Sequence, residues 1–325
     1  MTRSLRPHRV ADLRVPVDNH PRMRALIVTN MWPSDERPEL GTFVRDQVDA
    51  LRRVEGVEID VFAFPPGGYA RAARDIRARH GGGDHDVVHA HFGLTAWVAL
   101  ALRGPAPRVL TLHGRDLRHP RSRRITQAAL GRMDLVAAVS RRLAETVPGH
   151  HDVRVLPCGV DMRRFVPIPR RSARERLGLP LDEPCLLFPA DPARPVKRHD
   201  RAMDVADGTR LLSLGGVPPS EVPLWFNAAN AVVLPTDAEG FGLAVLEALA
   251  CDVPVLSTPV GNHPEALAGI AGAHCAPYDR DVWRAVVEPH LAAADPRVAG
   301  RARADQWSDD RMAELVVAAW RELLA

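Results

Sequence analysis

Aromatic residues are scarce in this 325-residue chain, at 5%, which argues against a nucleic-acid reader built on stacking platforms. Charge of one sign is also lacking: the formal net charge is only +3, too small to imply a polyanionic partner. The four cysteines (Cys158, Cys185, Cys251 and Cys275) lie far apart, with no C-x-x-C pair and no His/Cys cluster. Neither a disulfide framework nor a metal site is therefore expected. No apolar run approaches the roughly 18 residues a membrane span needs. The first 22 residues are basic and contain proline but have no apolar core, so they read as a disordered tail rather than a secretion signal. The expected location is the cytoplasm, including the inner face of the cell membrane. What remains is ordinary for a globular protein, with 46% hydrophobic and 26% charged residues. The length exceeds the usual single domain and predicts two.

From Arg24 onward, short apolar runs alternate with helical patterns. The strand-like runs are ALIVT (25–29), VEIDVFAF (57–64), DVVHA (86–90), RVLTLH (108–113), LVAAVS (135–140) and VRVLP (153–157). Between them, FVRDQVDALRRV, YARAARDIRARH, LTAWVALAL, ITQAALGRM and RRLAETV carry apolar residues at helical spacing. The Pro- and Arg-rich VPIPRRSARERLGLPLDEP reads as a crossing. The rhythm resumes with CLLFPA (185–190), TRLLSLG (209–215), AVVLPT (231–236), VPVLST (253–258) and GAHCA (272–276). The final SDDRMAELVVAAWRELL reads as an amphipathic helix opened by a serine cap. Continuous apolar strands alternating with helices predict parallel sheets covered on both faces. The predicted class is α/β: two doubly wound domains facing across a cleft. The expected boundaries are 23–165 for the first domain, 166–305 for the second, and 306–325 for a helix that packs back on the first.

Ligands in such folds sit at the carboxyl ends of strands, which directs attention to DAEGFGLAVLEALAC (237–251). It follows a strand, bears Gly240 and Gly242, and then becomes a helix. A Gly-bearing turn opening a helix presents backbone amides where phosphate is stabilised. Glu239 stands just before that start and Glu247 inside the helix. A carboxylate accepts two hydrogen bonds at once, so Glu247 suits the adjacent hydroxyls of a ribose, and Glu239 suits a sugar ring beside the phosphates. Taken alone, the segment reads equally well as an ordinary helix with two solvated glutamates.

The Glu-x7-Glu spacing of Glu239 and Glu247 resembles the signature of the family 4 retaining glycosyltransferases, which have the GT-B fold of two Rossmann-like domains. Other segments resemble that family in the same order: NMWPSDERPELGTFVRDQVDAL (30–51), TLHGRDL (111–117), MDLVAAVS (133–140), LPCGVDMRRF (156–165), FPADPARPVKR (188–198) and LGGVPPSEVPLWFNAAN (214–230). The last two are most similar to a subgroup that includes teichuronic acid biosynthesis enzymes. The resemblance spans about residues 23–290. Cys158 stands where the family has Asn, and Asp191 stands at roughly the usual position of a phosphate-loop Arg.

The resemblance implies a nucleotide-diphosphate sugar donor (a UDP- or GDP-sugar) and a glycan or lipid-linked hydroxyl acceptor, with neither cofactor nor metal. Glu239 would hold donor-sugar hydroxyls beside the anomeric carbon, and Glu247 the ribose. Phe241, Gly242 and Leu243 would offer amides to the diphosphate or sugar, next to Gly240. Arg194 and Lys197 would carry the diphosphate's countercharge, with Arg194 replacing the Arg absent at 191. His113 would lie across the cleft near the donor sugar, Gly41 would allow close backbone approach, and Val217 would border the base. His89 and His91, sharing one strand face, read as structural, and Asp116 as ordering its loop. No Ser-His-Asp set and no close carboxylate pair of glycosidase type stands out. Three alternatives stay open: a GT-B epimerase or phosphorylase; a dehydrogenase, disfavoured because no G-x-G-x-x-G follows a strand; and a catalytically weak nucleotide-sugar-binding partner protein. Arg118, Arg121, Arg123, Arg124, Arg132, Arg141 and Arg142 crowd one part of the first domain. They read either as a peripheral contact with anionic headgroups or as a solvated surface.

Overall fold

The computed structural model describes residues 22–149 and 152–325; all but the last residue of the expected tail lies outside them. Eleven strands form two fully parallel sheets. The first contains β1 (Met23–Thr29), β2 (Val57–Ala63), β3 (Val87–His91), β4 (Arg108–Leu112), β5 (Leu135–Ala138) and β6 (Arg154–Val155), in the order β2-β1-β3-β4-β5-β6. The second contains β7 (Cys185–Phe188), β8 (Arg210–Ser213), β9 (Ala231–Leu234), β10 (Val255–Ser257) and β11 (His274–Cys275), in the order β11-β10-β9-β7-β8. Every residue of β3, β4, β7, β9 and β10 is buried, as helices on both faces require.

All eleven predicted runs are strands, but several stop short of their predicted carboxyl ends. β7 and β9 end at Phe188 and Leu234, immediately before Pro189 and Pro235, which have no N–H to give a ladder. β4 ends at Leu112 because the His113 amide turns away to donate to the Asp116 carboxylate at 2.6 Å. These early endings release the loops that form the site. The predicted LTAWVALAL helix shrinks to a single turn, Ala96–Ala99.

The C-terminal helix Asp309–Leu324 packs Met312, Val316 and Trp320 into a cluster with Met23 and Ala25 of β1 and Val44 and Val48 of the helix Thr42–Leu51. Burying each such large side chain contributes about 1.5–3 kcal/mol. Ser308 occupies the cap position, but its side chain makes no cap bond. The Asp309 amide donates instead to the Val160 carbonyl at 2.9 Å, and the Val160 amide to Trp307. A backbone bridge thus satisfies the first amide of the helix.

Strand order fixes where ligands can enter. In the first sheet the chain reverses direction of growth between β1 and β3, and in the second between β7 and β9. Crevices form at such switch points, at the carboxyl ends of the strands. The loop with Lys197 follows β7 and the turn with Glu239 follows β9, so both flank the second switch point.

Candidate active site

The exit of β9 is tied to the loop after β7. The Thr236 hydroxyl and the Asp237 amide both donate to the Val196 carbonyl, each at 2.9 Å. This seats Lys197 against Glu239, and their side chains form an ion pair with only 12% and 15% of each exposed. Two glycines are obligatory in the turn that follows. A Cβ on Gly240 would overlap the His113 carbonyl, and one on Gly242 (φ 117°) would overlap the His263 ring. Gly242 opens the helix Leu243–Ala250. His263 Nδ1 lies 3.0 Å from the Thr258 carbonyl, so that nitrogen carries the proton. Its Nε2 and both amide atoms of Asn262 are buried without partners beside Gly242. Such orphaned polar groups are rare in folded proteins and call for an explanation.

Glu247 lies further along the same helix and is partly buried. Burial pushes its carboxyl up to about 7; the positive charge of Arg164 opposes the rise and Asp46 adds to it. Arg164 is paired with Asp46 at 2.8 Å and lies over the Phe165 ring. Asp46 comes from the helix Thr42–Leu51, which Gly41 opens in a left-handed conformation (φ 71°) against the Met31 backbone.

Across the cleft, His113 follows β4. Its Nε2 lies 3.1 Å from His91 Nδ1, and its ring packs against Phe43 and Phe92. Burial pushes the imidazolium pKa down to about 3, so the ring is neutral at physiological pH. His91 stacks on His89, whose Nδ1 accepts from Trp320 Nε1 at 3.3 Å. The buried Asp116 carboxylate accepts from the amides of Gly93, His113 and Gly114, which fixes the H-G-R-D loop. Gly114 then lies so close that its Cβ would sit 3.0 Å from Gly240 Cα. The Ser140 hydroxyl donates to the Gly240 carbonyl at 2.8 Å, and Arg142 donates to the Pro259 carbonyl at 2.5 Å. Beside these contacts, a cavity of about 580 Å³ is lined from both halves, with Glu239 in its wall.

The structure therefore gathers Glu239, Lys197, Gly240, Gly242, Glu247 and His113 around one crevice. Phe241 turns its ring into the core while its carbonyl accepts from the Asn262 amide at 2.8 Å, and Leu243 is partly buried at the helix start. Val217 is partly buried in the loop after β8. Arg194 is exposed, and among the described residues its side chain has no hydrogen-bond or ion-pair partner; its carbonyl accepts the Lys197 amide at 3.0 Å. Asp191 caps its own turn, accepting from the Ala193 amide at 2.8 Å. Sequence reasoning missed Arg164, Asp46, Asn262 and His263, and it treated His91 as separate from His113.

The family model described as Glycosyltransferase Family 4 matches residues 24–164, and that described as Glycosyl transferases group 1 matches residues 191–298. D-inositol 3-phosphate glycosyltransferase of Mycobacterium avium is 30% identical, over 76% of this chain and 71% of the relative. The chain belongs to the family 4 glycosyltransferases. The putative teichuronic acid biosynthesis glycosyltransferase TuaC of Bacillus subtilis is 32% identical to this glycosyltransferase, over 54% of each chain. Among solved structures, sucrose-phosphate synthase from Thermosynechococcus elongatus superposes with a TM-score of 0.73 at 18% identity, covering 93% and 99% of the two chains. HepE of Anabaena, solved in complex with UDP and glucose, superposes at 0.69 with 15% identity, covering 92% and 100%. These likenesses show that the glycosyltransferase has the GT-B fold.

Proposed function

We propose that the glycosyltransferase moves a sugar, with retention of anomeric configuration, from a UDP- or GDP-sugar to a hydroxyl of a glycan or lipid-linked acceptor in cell-surface polysaccharide or glycolipid synthesis. The observation that carries this reading is the Lys197–Glu239 ion pair at the second sheet's switch point, beside the Gly242 helix start and within one helix of Glu247. HepE, of the same fold, is seen with UDP-glucose, which supports a nucleotide-sugar donor.

On this reading the donor's diphosphate meets the amides at Gly242 and Leu243 and the ammonium of Lys197, with Arg194 at the rim. Positive charge there is most valuable as the bond to the diphosphate breaks and negative charge builds on the leaving oxygen. Phosphate arriving beside Lys197 frees Glu239 to face the sugar hydroxyls near the anomeric carbon. Glu247 accepts from the ribose hydroxyls, and Val217 borders the base. Gly41 and neutral His113 close the site from the first domain. The orphaned Asn262 amide and His263 Nε2 supply partners for a donor hydroxyl. The leaving phosphate takes the acceptor proton, so no protein base is needed, and Lys197 and Arg194 stand in place of a metal.

Steady-state kinetics and donor calorimetry on two variants test the assignment. Glu239→Ala cuts kcat by orders of magnitude with donor affinity nearly kept, whereas Glu247→Ala weakens donor binding by about 1–3 kcal/mol. Turnover persists in excess chelator. Normal kinetics in both variants would remove the site assignment, and loss of activity on chelation would remove metal independence.

A further inference from the structure

Three histidines of the first domain form a line that runs from the C-terminal helix to the crevice. Trp320 Nε1 donates to His89 Nδ1 at 3.3 Å. An indole N–H only donates, so the proton of the neutral His89 ring sits on Nε2, 2.7 Å from the Thr111 hydroxyl. His89 and His91 are fully buried and stack with ring centroids 4.7 Å apart. Burial holds both imidazolium pKa values well below the usual histidine value, so each ring is neutral. His91 Nδ1 meets His113 Nε2 at 3.1 Å, whereas His91 Nε2 is buried with no partner. The His113 ring is held by Phe43 and Phe92, with centroids at 5.1 and 4.5 Å. Among the described residues its Nδ1 makes no hydrogen bond, and this nitrogen, unlike His91 Nε2, is not buried.

Two proton assignments fit the contact between His91 and His113. If His113 donates from Nε2, the proton of neutral His91 must sit on its own Nε2, a buried N–H with no acceptor. If His91 donates from Nδ1, only a bare ring nitrogen is left there. A buried N–H without an acceptor is the rarer fault. The second assignment also leaves the exposed Nδ1 of His113 carrying a proton, where the first would turn a lone pair toward an anionic ligand. We propose that His91 is a positioning residue of the transfer reaction: it donates from Nδ1 to His113 Nε2 and so fixes His113 as the Nδ1–H tautomer, a neutral donor for an oxygen of the nucleotide sugar. The proposal rests on the donor reading above, which sets His113 beside the sugar. A ring free to take either tautomer binds only with the fraction that carries Nδ1–H; His91 removes that loss before the donor arrives.

Nitrogen NMR of the full chain labelled with ¹⁵N-histidine reads the tautomer directly, the His113 signals being those lost in His113→Gln. In the wild type without ligand, Nδ1 resonates as a protonated, pyrrole-type nitrogen and Nε2 as a bare, pyridine-type one. In His91→Phe both move to averaged positions. Calorimetry with the UDP- or GDP-sugar that most raises the wild-type melting temperature then shows binding about tenfold weaker in that variant, the loss of one hydrogen bond. His91→Asn, whose amide donates from the place of Nδ1, recovers most of both. A merely structural role would lower the melting temperature of His91→Phe and leave the His113 tautomer as it is in the wild type. A bare Nδ1 in the wild type, or an unchanged tautomer in His91→Phe, would overturn the proposal; the first of these needs no variant, so the test holds even where His91→Phe does not fold. Reading the tautomer without ligand keeps the two claims apart: an Nδ1–H tautomer in a chain whose affinity for the nucleotide sugar is unchanged by His113→Phe would overturn the donor reading at His113, and with it the use proposed for that N–H.

Discussion

Lys197 is the only lysine in the chain; every other member of its 43 Lys and Arg residues is arginine. It is also the residue whose ammonium is held against Glu239 in the crevice. A compact, strongly hydrated point charge differs from a planar guanidinium in size and donor geometry, and the space beside Glu239 holds the former. Lys197→Ala is expected to lower kcat by about 10²–10³, the cost of removing one preorganised charge partner. Lys197→Arg should recover little of that loss, and kinetics of the two variants check it; wild-type turnover in the arginine variant would show that only charge matters. Glu247 supplies the second prediction at this scale. Its carboxyl titrates near 7 because burial raises it, and only the ionised form accepts both ribose hydroxyls. Donor affinity therefore falls as pH drops below 7, by about tenfold per unit once the acid form dominates. Calorimetry from pH 5.5 to 8.5 should show this slope in the wild type and none in Glu247→Gln. The two glutamates were legible because a strand, a glycine turn and a helix place them locally. Arg164 and Asp46 were not, because they lie 118 positions apart in the chain and nothing local marks either as a partner of the other or a neighbour of Glu247. The single lysine was a signal available from composition alone.

At the scale of elements, the decisive parts are two glycine-bearing loops. The turn after β9 and the loop after β4 touch backbone to backbone, with the His113 carbonyl where a Gly240 side chain would be. Gly240→Ala must push the loops apart by the breadth of a methyl group. That displaces Glu239 relative to His113, and displacements near 1 Å in an active site can cost about 100-fold in rate. The expected result is a large fall in kcat together with a lower melting temperature, because the overlapped atoms are backbone, read by kinetics and calorimetry; an unchanged kcat would contradict it. The eleven strands were legible because buried parallel strands have continuous apolar runs. Their ends were less so: β4 stops early because Asp116 captures the His113 amide, a competition that periodicity does not register. Ser308 does stand at the cap of the last helix, but its hydroxyl makes no cap bond; the pairing of the Asp309 amide with the Val160 carbonyl, remote in the chain, is a contact that no local pattern registers.

For the whole molecule, the crossing of two switch points is what turns two ordinary sheets into one site. The first domain contributes His113, Ser140 and the arginines of the cavity; the second contributes Lys197, Glu239 and the helix start at Gly242. The two-domain α/β class followed from strand–helix alternation, whereas the meeting of Gly114 with Gly240, far apart in the chain, needed three-dimensional structure. The most direct measurement is a crystal structure of the full chain with whichever UDP- or GDP-sugar most raises its melting temperature. The account predicts the diphosphate at Lys197 and the Gly242 turn, the ribose on Glu247, and the sugar between Glu239 and His113. A nucleotide bound elsewhere, or one that leaves the Lys197–Glu239 pair intact and Glu247 without contact, would contradict it.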